Sequence, residues 1–170
     1  EAIISALKID LDKIVGGVEA SESGFDAVGA ILRGKELHCS GTLIDRKVVL
    51  TAAHCLRRME TTTRELIPPE QLSFSVGAEL GRGKKIRVRS RKPHEKFPFV
   101  DPKYDVGVIC LEREADGVDP IPLVGAALSN EELGQLRLEF HGFGYADGHH
   151  RLGAGERRRV TMSVTADGLR

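Results

Sequence analysis

The sequence predicts an all-β protein, built from short antiparallel strands that close into a barrel or stack as a sandwich. Three observations predict it. Apolar and polar residues alternate with period two in several separate stretches, as a half-buried sheet requires, because successive side chains point to opposite faces. The apolar runs are short and are separated by Gly, Pro and polar turn residues. Glycine is abundant, 19 in 170 residues, which suits turns better than long helices.

The elements follow in chain order. Residues 1–12 are expected to form a short helix or an arm. Val48-Val49-Leu50 reads as a strand that runs out into the small residues of Thr51-Ala52-Ala53. Leu72, Phe74 and Val76 share one face of a strand. Ile86 and Val88 share a face of the next, with Lys85, Arg87, Arg89 and Arg91 on the other. Residues 82–96 hold eight basic residues and one glutamate. The alternation favours the wet face of a strand over a site for an anionic partner. Val106-Gly107-Val108-Ile109-Cys110-Leu111 is a continuous apolar run, read as a strand entering the core. Ser129-Asn130-Glu131-Glu132-Leu133 reads as a helical turn, because serine or asparagine before glutamates suits a helix start. Leu136, Leu138 and Phe140 alternate again, as do Val160, Met162 and Val164.

Composition narrows the class. The chain is 41% hydrophobic and 29% charged, ordinary for a globular protein. Lys plus Arg equals Asp plus Glu, 25 against 25, so there is no global pull toward nucleic acid or membrane, and neither is expected as a partner. No apolar run approaches the roughly 20 residues that span a bilayer. The chain begins at Glu1 without a charged-then-apolar leader, so an upstream segment is expected to have been removed or left out. Cys39, Cys55 and Cys110 are an odd set, which leaves one thiol unpaired or paired outside the chain. Cys110 is expected to be a buried free thiol acting as a small hydrophobe.

Three motifs bear on chemistry. In Thr51-Ala52-Ala53-His54-Cys55, small residues let the backbone turn tightly before a histidine. A catalytic base needs such a rigid mount with one ring nitrogen free, although a histidine in this setting also fits a structural role. In Tyr104-Asp105-Val106-Gly107, a carboxylate stands where a strand enters the core. Two readings stand for it: a turn aspartate capping the preceding segment, or the acceptor of a hydrogen bond from His54 that fixes the imidazole tautomer. In Lys13-Ile14-Val15-Gly16-Gly17, a basic residue precedes an apolar pair and two glycines. That is either a flexible leader or a cleavage site whose product is a new amino group on Ile14. His149-His150 has no third ligand at a convincing spacing. It reads as a surface turn, and neither a metal site nor a cofactor is expected.

Ile14-Val15-Gly16-Gly17, Cys39-Ser40-Gly41-Thr42-Leu43-Ile44, Thr51-Ala52-Ala53-His54-Cys55 and Asp105-Val106-Gly107-Val108 stand in the order and rough spacing of the chymotrypsin/trypsin family of serine proteases. Gly142-Phe143-Gly144 resembles that family's Gly-Trp-Gly segment, with phenylalanine for tryptophan. The resemblance implies a trypsin-like double antiparallel β-barrel, with the first barrel complete and the second truncated. It implies His54 as general base, Asp105 as its orienting carboxylate and a Cys39–Cys55 disulfide. Residues 1–13 then resemble a propeptide or its remnant, cut between Lys13 and Ile14, and 14–170 an incomplete protease domain. A protein or peptide substrate and secretion to an extracellular or periplasmic space are implied as well.

The sequence departs from the family at the nucleophile. No Gly-Asp-Ser-Gly-Gly occurs between Asp105 and Arg170. Ser129 precedes the helical turn and Ser163 lies mid-strand, neither with flanking glycines for an oxyanion hole. Ser40 is structural by the resemblance. The nucleophile is therefore expected outside this chain, and the chain alone is expected to be inactive. The expectation is a serine endopeptidase whose missing C-terminal segment completes the second barrel, either in the same polypeptide or as a second one. The alternative is a non-catalytic binding module on the same scaffold.

Overall fold

The computed structural model describes residues 18–19, 25–58, 65–80, 82–97, 104–144 and 154–163. The strands are β1 (Val18–Glu19), β2 (Val28–Arg33), β3 (Glu36–Asp45), β4 (Val48–Thr51), β5 (Leu72–Val76), β6 (Lys84–Pro93), β7 (Gly107–Leu111), β8 (Arg137–Gly142) and β9 (Arg158–Ser163). A single α-helix is described, α1 (Asn130–Gln135). β2 to β7 close into a six-stranded barrel in the order β2-β3-β4-β7-β6-β5, and β1, β9 and β8 form a separate three-stranded sheet. All pairings are antiparallel. Of the two architectures open to the sequence, the barrel is the one formed, and closure removes unpaired edges from these six strands.

The alternation in the sequence is what fills the barrel. Ile31, Leu43, Val49, Phe74, Ile86, Ile109 and Leu111 each keep at most 1% of their surface exposed. Burying a side chain of this size contributes about 1.5–3 kcal/mol. On β6, Ile86 and Val88 point inward while Lys85, Arg87 and Arg89 stay wet. An irregularity between Val88 and Ser90 shifts the pairing with β7. The extra residue resets the alternation, so Arg91 is half-buried rather than on the wet face. On β7, Ile109 and Leu111 take the inward positions. Cys110 therefore points outward and is a half-buried free thiol, not a buried one.

β2 serves two cores. Ile31 lies in the barrel, while Val28, Ala30 and Leu32 pack with Phe143, which is 1% exposed. Phe143 N donates to Ser40 Oγ at 2.9 Å. A hydrogen bond and an apolar contact thus tie the end of β8 to the barrel. The helical turn forms as the sequence predicts. Ser129 N and Oγ both donate to Glu132 Oε2 at 2.8 Å, and Glu132 N donates back to Ser129 Oγ at 3.2 Å, the reciprocal cap of a helix start.

The second sheet departs from expectation on one face. Leu136, Leu138 and Phe140 alternate as predicted, but they remain 36%, 36% and 48% exposed, because no described element covers them. The side chains of Met162 and Ser163 and all of Val164 lie outside the described residues. So do residues 1–13, the Lys13–Ile14 bond, the two glycines after it and His149-His150.

Candidate active site

β4 and β7 pair so that Thr51 lies opposite Gly107. Following each strand past that pair, three residues beyond Thr51 and two before Gly107, brings His54 and Asp105 to the same rim of the barrel. The two residues are 51 apart in sequence, so barrel closure rather than local chain geometry makes the contact. After β4 the chain turns through Ala52 and Ala53 into a 3₁₀ turn, His54–Leu56. Ala53 is fully buried, so a larger side chain has no room there. Leu56 N bonds to Ala53 O, and Ile67 N bonds to Leu56 O. Cys55 and Leu56, 3% and 0% exposed, anchor the turn from below.

On this mount His54 is held at two points by one carboxylate. Its Nδ1 lies 2.7 Å from Asp105 Oδ2, and its backbone N–H donates to Asp105 Oδ1 at 2.9 Å. Of the two readings open to Asp105, the bond to the imidazole is the one present. The His54 and Asp105 side chains are 26% and 17% exposed, so the imidazole keeps an open edge while its carboxylate is sheltered. With Nδ1 bearing the proton and donating to Asp105, Nε2 carries a lone pair. Nε2 lies 3.4 Å from Cys55 Sγ.

The surroundings fix this pair further. Cys39 and Cys55 are joined by a disulfide, which pins the 3₁₀ turn to β3. His38 Nε2 lies 2.9 Å from Cys55 O, and Thr51 Oγ1 donates to Ser40 O at 2.9 Å. Tyr104, just before Asp105, has φ 61°, a left-handed conformation that a bulky residue adopts only under strain. Its ring stacks on His94, with centroids 4.9 Å apart, and His94 N bonds to Val106 O. Sequence reasoning missed His38 and Tyr104. The adjacency of His38 to Cys39 is the hint the sequence offers; Tyr104 opens the Asp105 motif, but nothing local marks its ring stacking or its left-handed backbone. Ser40 accepts a hydrogen bond from Phe143 and Ser129 caps a helix.

A second buried polar group lies where the barrel meets the other sheet. Arg157, its side chain fully buried, donates from one guanidinium nitrogen to Phe25 O at 2.7 Å and Asp26 Oδ1 at 3.2 Å. His141 stacks on Phe25 with ring centroids 4.0 Å apart and is 6% exposed. Burial pushes its pKa below the ordinary imidazole value, reinforced by Arg157 and Arg159 and opposed by Glu139. Glu139 Oε1 lies 3.4 Å away but outside hydrogen-bonding geometry, so among the described residues neither ring nitrogen has a hydrogen-bond partner.

Comparison with known proteins adds three kinds of finding. The family model described as Trypsin matches residues 14–165. Serine protease SP24D of Anopheles gambiae is 36% identical over 101 residues, 59% of this chain and 35% of that protein. Hypodermin-B of Hypoderma lineatum is 30% identical over 123 residues, 71% of this chain and 42% of that protein. Coagulation factor XII of Sus scrofa is 28% identical over 148 residues, 79% of this chain and 23% of that protein. The chain thus spans less than half the length of these relatives. Among solved structures, neuropsin, a serine protease expressed in the limbic system of mouse brain, superposes with a TM-score of 0.70. It is 21% identical, over 87% of this chain and 63% of its own; that likeness speaks for the fold.

Proposed function

Because this chain belongs to the trypsin family, we propose that it is part of a serine endopeptidase in which His54 is the general base and Asp105 its orienting carboxylate. The supporting observation is the double grip of Asp105 on His54, at 2.7 and 2.9 Å. A carboxylate on Nδ1–H leaves Nε2 as the proton acceptor and stabilises the imidazolium formed in the reaction. Nε2 takes the proton of a serine hydroxyl as its oxygen attacks the peptide carbonyl. The same proton passes to the leaving amine as the acyl-enzyme forms, and water then repeats the cycle to release the acid.

The serine itself is proposed to lie outside these 170 residues, within a segment that completes the second barrel. Cleavage between Lys13 and Ile14 is proposed as the activating step, and the substrate as a protein or peptide. A disulfide beside the base suits an oxidising compartment, so secretion is part of the same proposal.

The experiment is labelling with a serine-directed phosphonate alongside turnover of a peptide ester. The 170-residue chain is expected to take no label and show no turnover. The same chain joined to a downstream Gly-Asp-Ser-Gly-Gly segment is expected to do both, and His54→Ala in that longer chain to lose turnover. Labelling of Ser40, Ser129 or Ser163 in the 170-residue chain would place the nucleophile within it. An inert longer chain would favour a binding module instead.

A further inference from the structure

Cys39, His54 and Cys55 form the one group of three metal-ligating side chains found together among the described residues, with donor atoms all within 4.8 Å of one another. We propose that, once a dithiol has reduced the Cys39–Cys55 bond, the two thiolates and His54 Nε2 hold a thiophilic divalent cation of the Zn²⁺ kind. The disulfide is then a redox gate on a metal site that shares the imidazole with the peptidase.

The donor set fits the ion. Two cysteines and one histidine with water in the fourth position is an established zinc arrangement. Zn–S near 2.3 Å and Zn–N near 2.0 Å put sulfur and nitrogen about 3.5 Å apart on a tetrahedral ion. Cys55 Sγ and His54 Nε2 are already 3.4 Å apart. The two sulfurs must separate to about 3.8 Å and Cys39 Sγ must settle at about 3.5 Å from Nε2, within a cluster whose donor atoms all lie within 4.8 Å of one another. The backbone beneath them is fixed at a Cα–Cα distance of 6.1 Å. Cys39 sits on β3, paired with Ile31 of β2, and Cys55 sits in a turn hydrogen-bonded to both its flanks. Asp105 supplies the outer partner. A ligating histidine characteristically donates its other N–H to a carboxylate, which fixes its tautomer and raises its basicity, and His54 Nδ1 does so at 2.7 Å. The open edge of His54 gives the ion and its water a way in.

The step balances. The dithiol gives two electrons and two protons to the S–S bond and becomes a disulfide itself, leaving Cys39 and Cys55 as thiols. The cation then displaces both thiol protons to solvent. Occupied this way, Nε2 has no lone pair for a hydroxyl proton, so metal binding switches off the base; that consequence, unlike the site, rests on the role proposed for His54 above.

The test reduces the chain with a phosphine, which takes oxygen from water to become the phosphine oxide and leaves zinc available. Zn²⁺ is titrated by calorimetry, Co²⁺ by absorption, and near-ultraviolet circular dichroism follows the fold. The reduced chain is expected to bind one ion, with a thiolate-to-cobalt charge-transfer band, and the oxidised chain none. Asp105→Asn should weaken Zn²⁺ binding by about 10- to 100-fold, as loss of an outer partner does. His54→Ala should weaken it further, and Cys110→Ser should change nothing. A reduced chain that unfolds and is refolded by Zn²⁺ supports the site equally. A folded reduced chain that takes up no metal, one that unfolds and is not rescued, or uptake indifferent to His54→Ala would overturn it. None of these results touches the phosphonate experiment, so the two proposals fail separately.

Discussion

At the scale of single residues, one carboxylate meets His54 at both its backbone N–H and Nδ1, and the proposed mechanism needs it to hold the Nδ1–H tautomer. Asp105→Asn in the active, completed protein is expected to leave the fold intact and lower kcat by about 10⁴-fold, the loss known for the same change in this family's triad. An unchanged kcat would remove Asp105 from the mechanism. His141 makes a different prediction, about stability. Its folded-state pKa is depressed, chiefly by burial, so as pH falls below about 6.5 the unfolded chain takes up the proton first. Stability is therefore fully present above that value and is lost as pH drops through the folded pKa. The groups that face it are Glu139, Arg157 and Arg159. Urea melts at pH 7 and pH 5 should show a smaller acid loss in His141→Phe than in the parent chain. Equal losses would assign the effect elsewhere.

At the scale of elements, the approach of β7 to the His54 turn depends on Gly107. A Cβ there would lie 2.7 Å from Leu56 Cδ1, 3.3 Å from Lys92 O and 3.4 Å from Ala53 Cα. The Leu56 methyl must shift and the Lys92 carbonyl must give slightly, while Ala53 Cα stands at the edge of ordinary contact. Gly107→Ala is expected to cost about 1–3 kcal/mol by overpacking, and to lower kcat because it shifts the segment that leads into β7 and carries Asp105 against the turn carrying His54. A variant with parental stability and parental kcat would contradict this. β5, β6 and the Ser129 cap were legible in the sequence, because alternation and capping are local patterns; the His54–Asp105 contact was expected from the resemblance, through motifs 51 residues apart. What the sequence hid depends on neighbours remote in the chain. The bulge that half-buries Arg91 belongs to the register between β6 and β7. The exposure of Leu138 and Phe140 depends on what lies over β8. The burial of Arg157 depends on Phe25 O, 132 residues away.

At the scale of the whole molecule, the chain is a closed barrel with a smaller sheet fastened to it through Ser40, Phe143 and Arg157. Arg157→Ala leaves Phe25 O without its donor, while the half-exposed Asp26 can turn to water; it should destabilise the chain by about 1–3 kcal/mol, read as a lower urea midpoint with an unchanged slope. The disulfide spans 16 residues, and closing such a loop contributes about 3 kcal/mol in the chain-entropy view; reduction should lower the midpoint accordingly in the absence of metal. The claim on which the rest depends is that barrel closure delivers His54 to Asp105 with the proton on Nδ1. The most direct measurement is the ¹⁵N and exchangeable-proton NMR spectrum of the histidine-labelled chain, recorded beside Asp105→Asn. The predicted result is an Nδ1–H tautomer for His54, with its proton far downfield and displaced in the variant. An Nε2–H tautomer, or a His54 signal indifferent to Asp105→Asn, would contradict it.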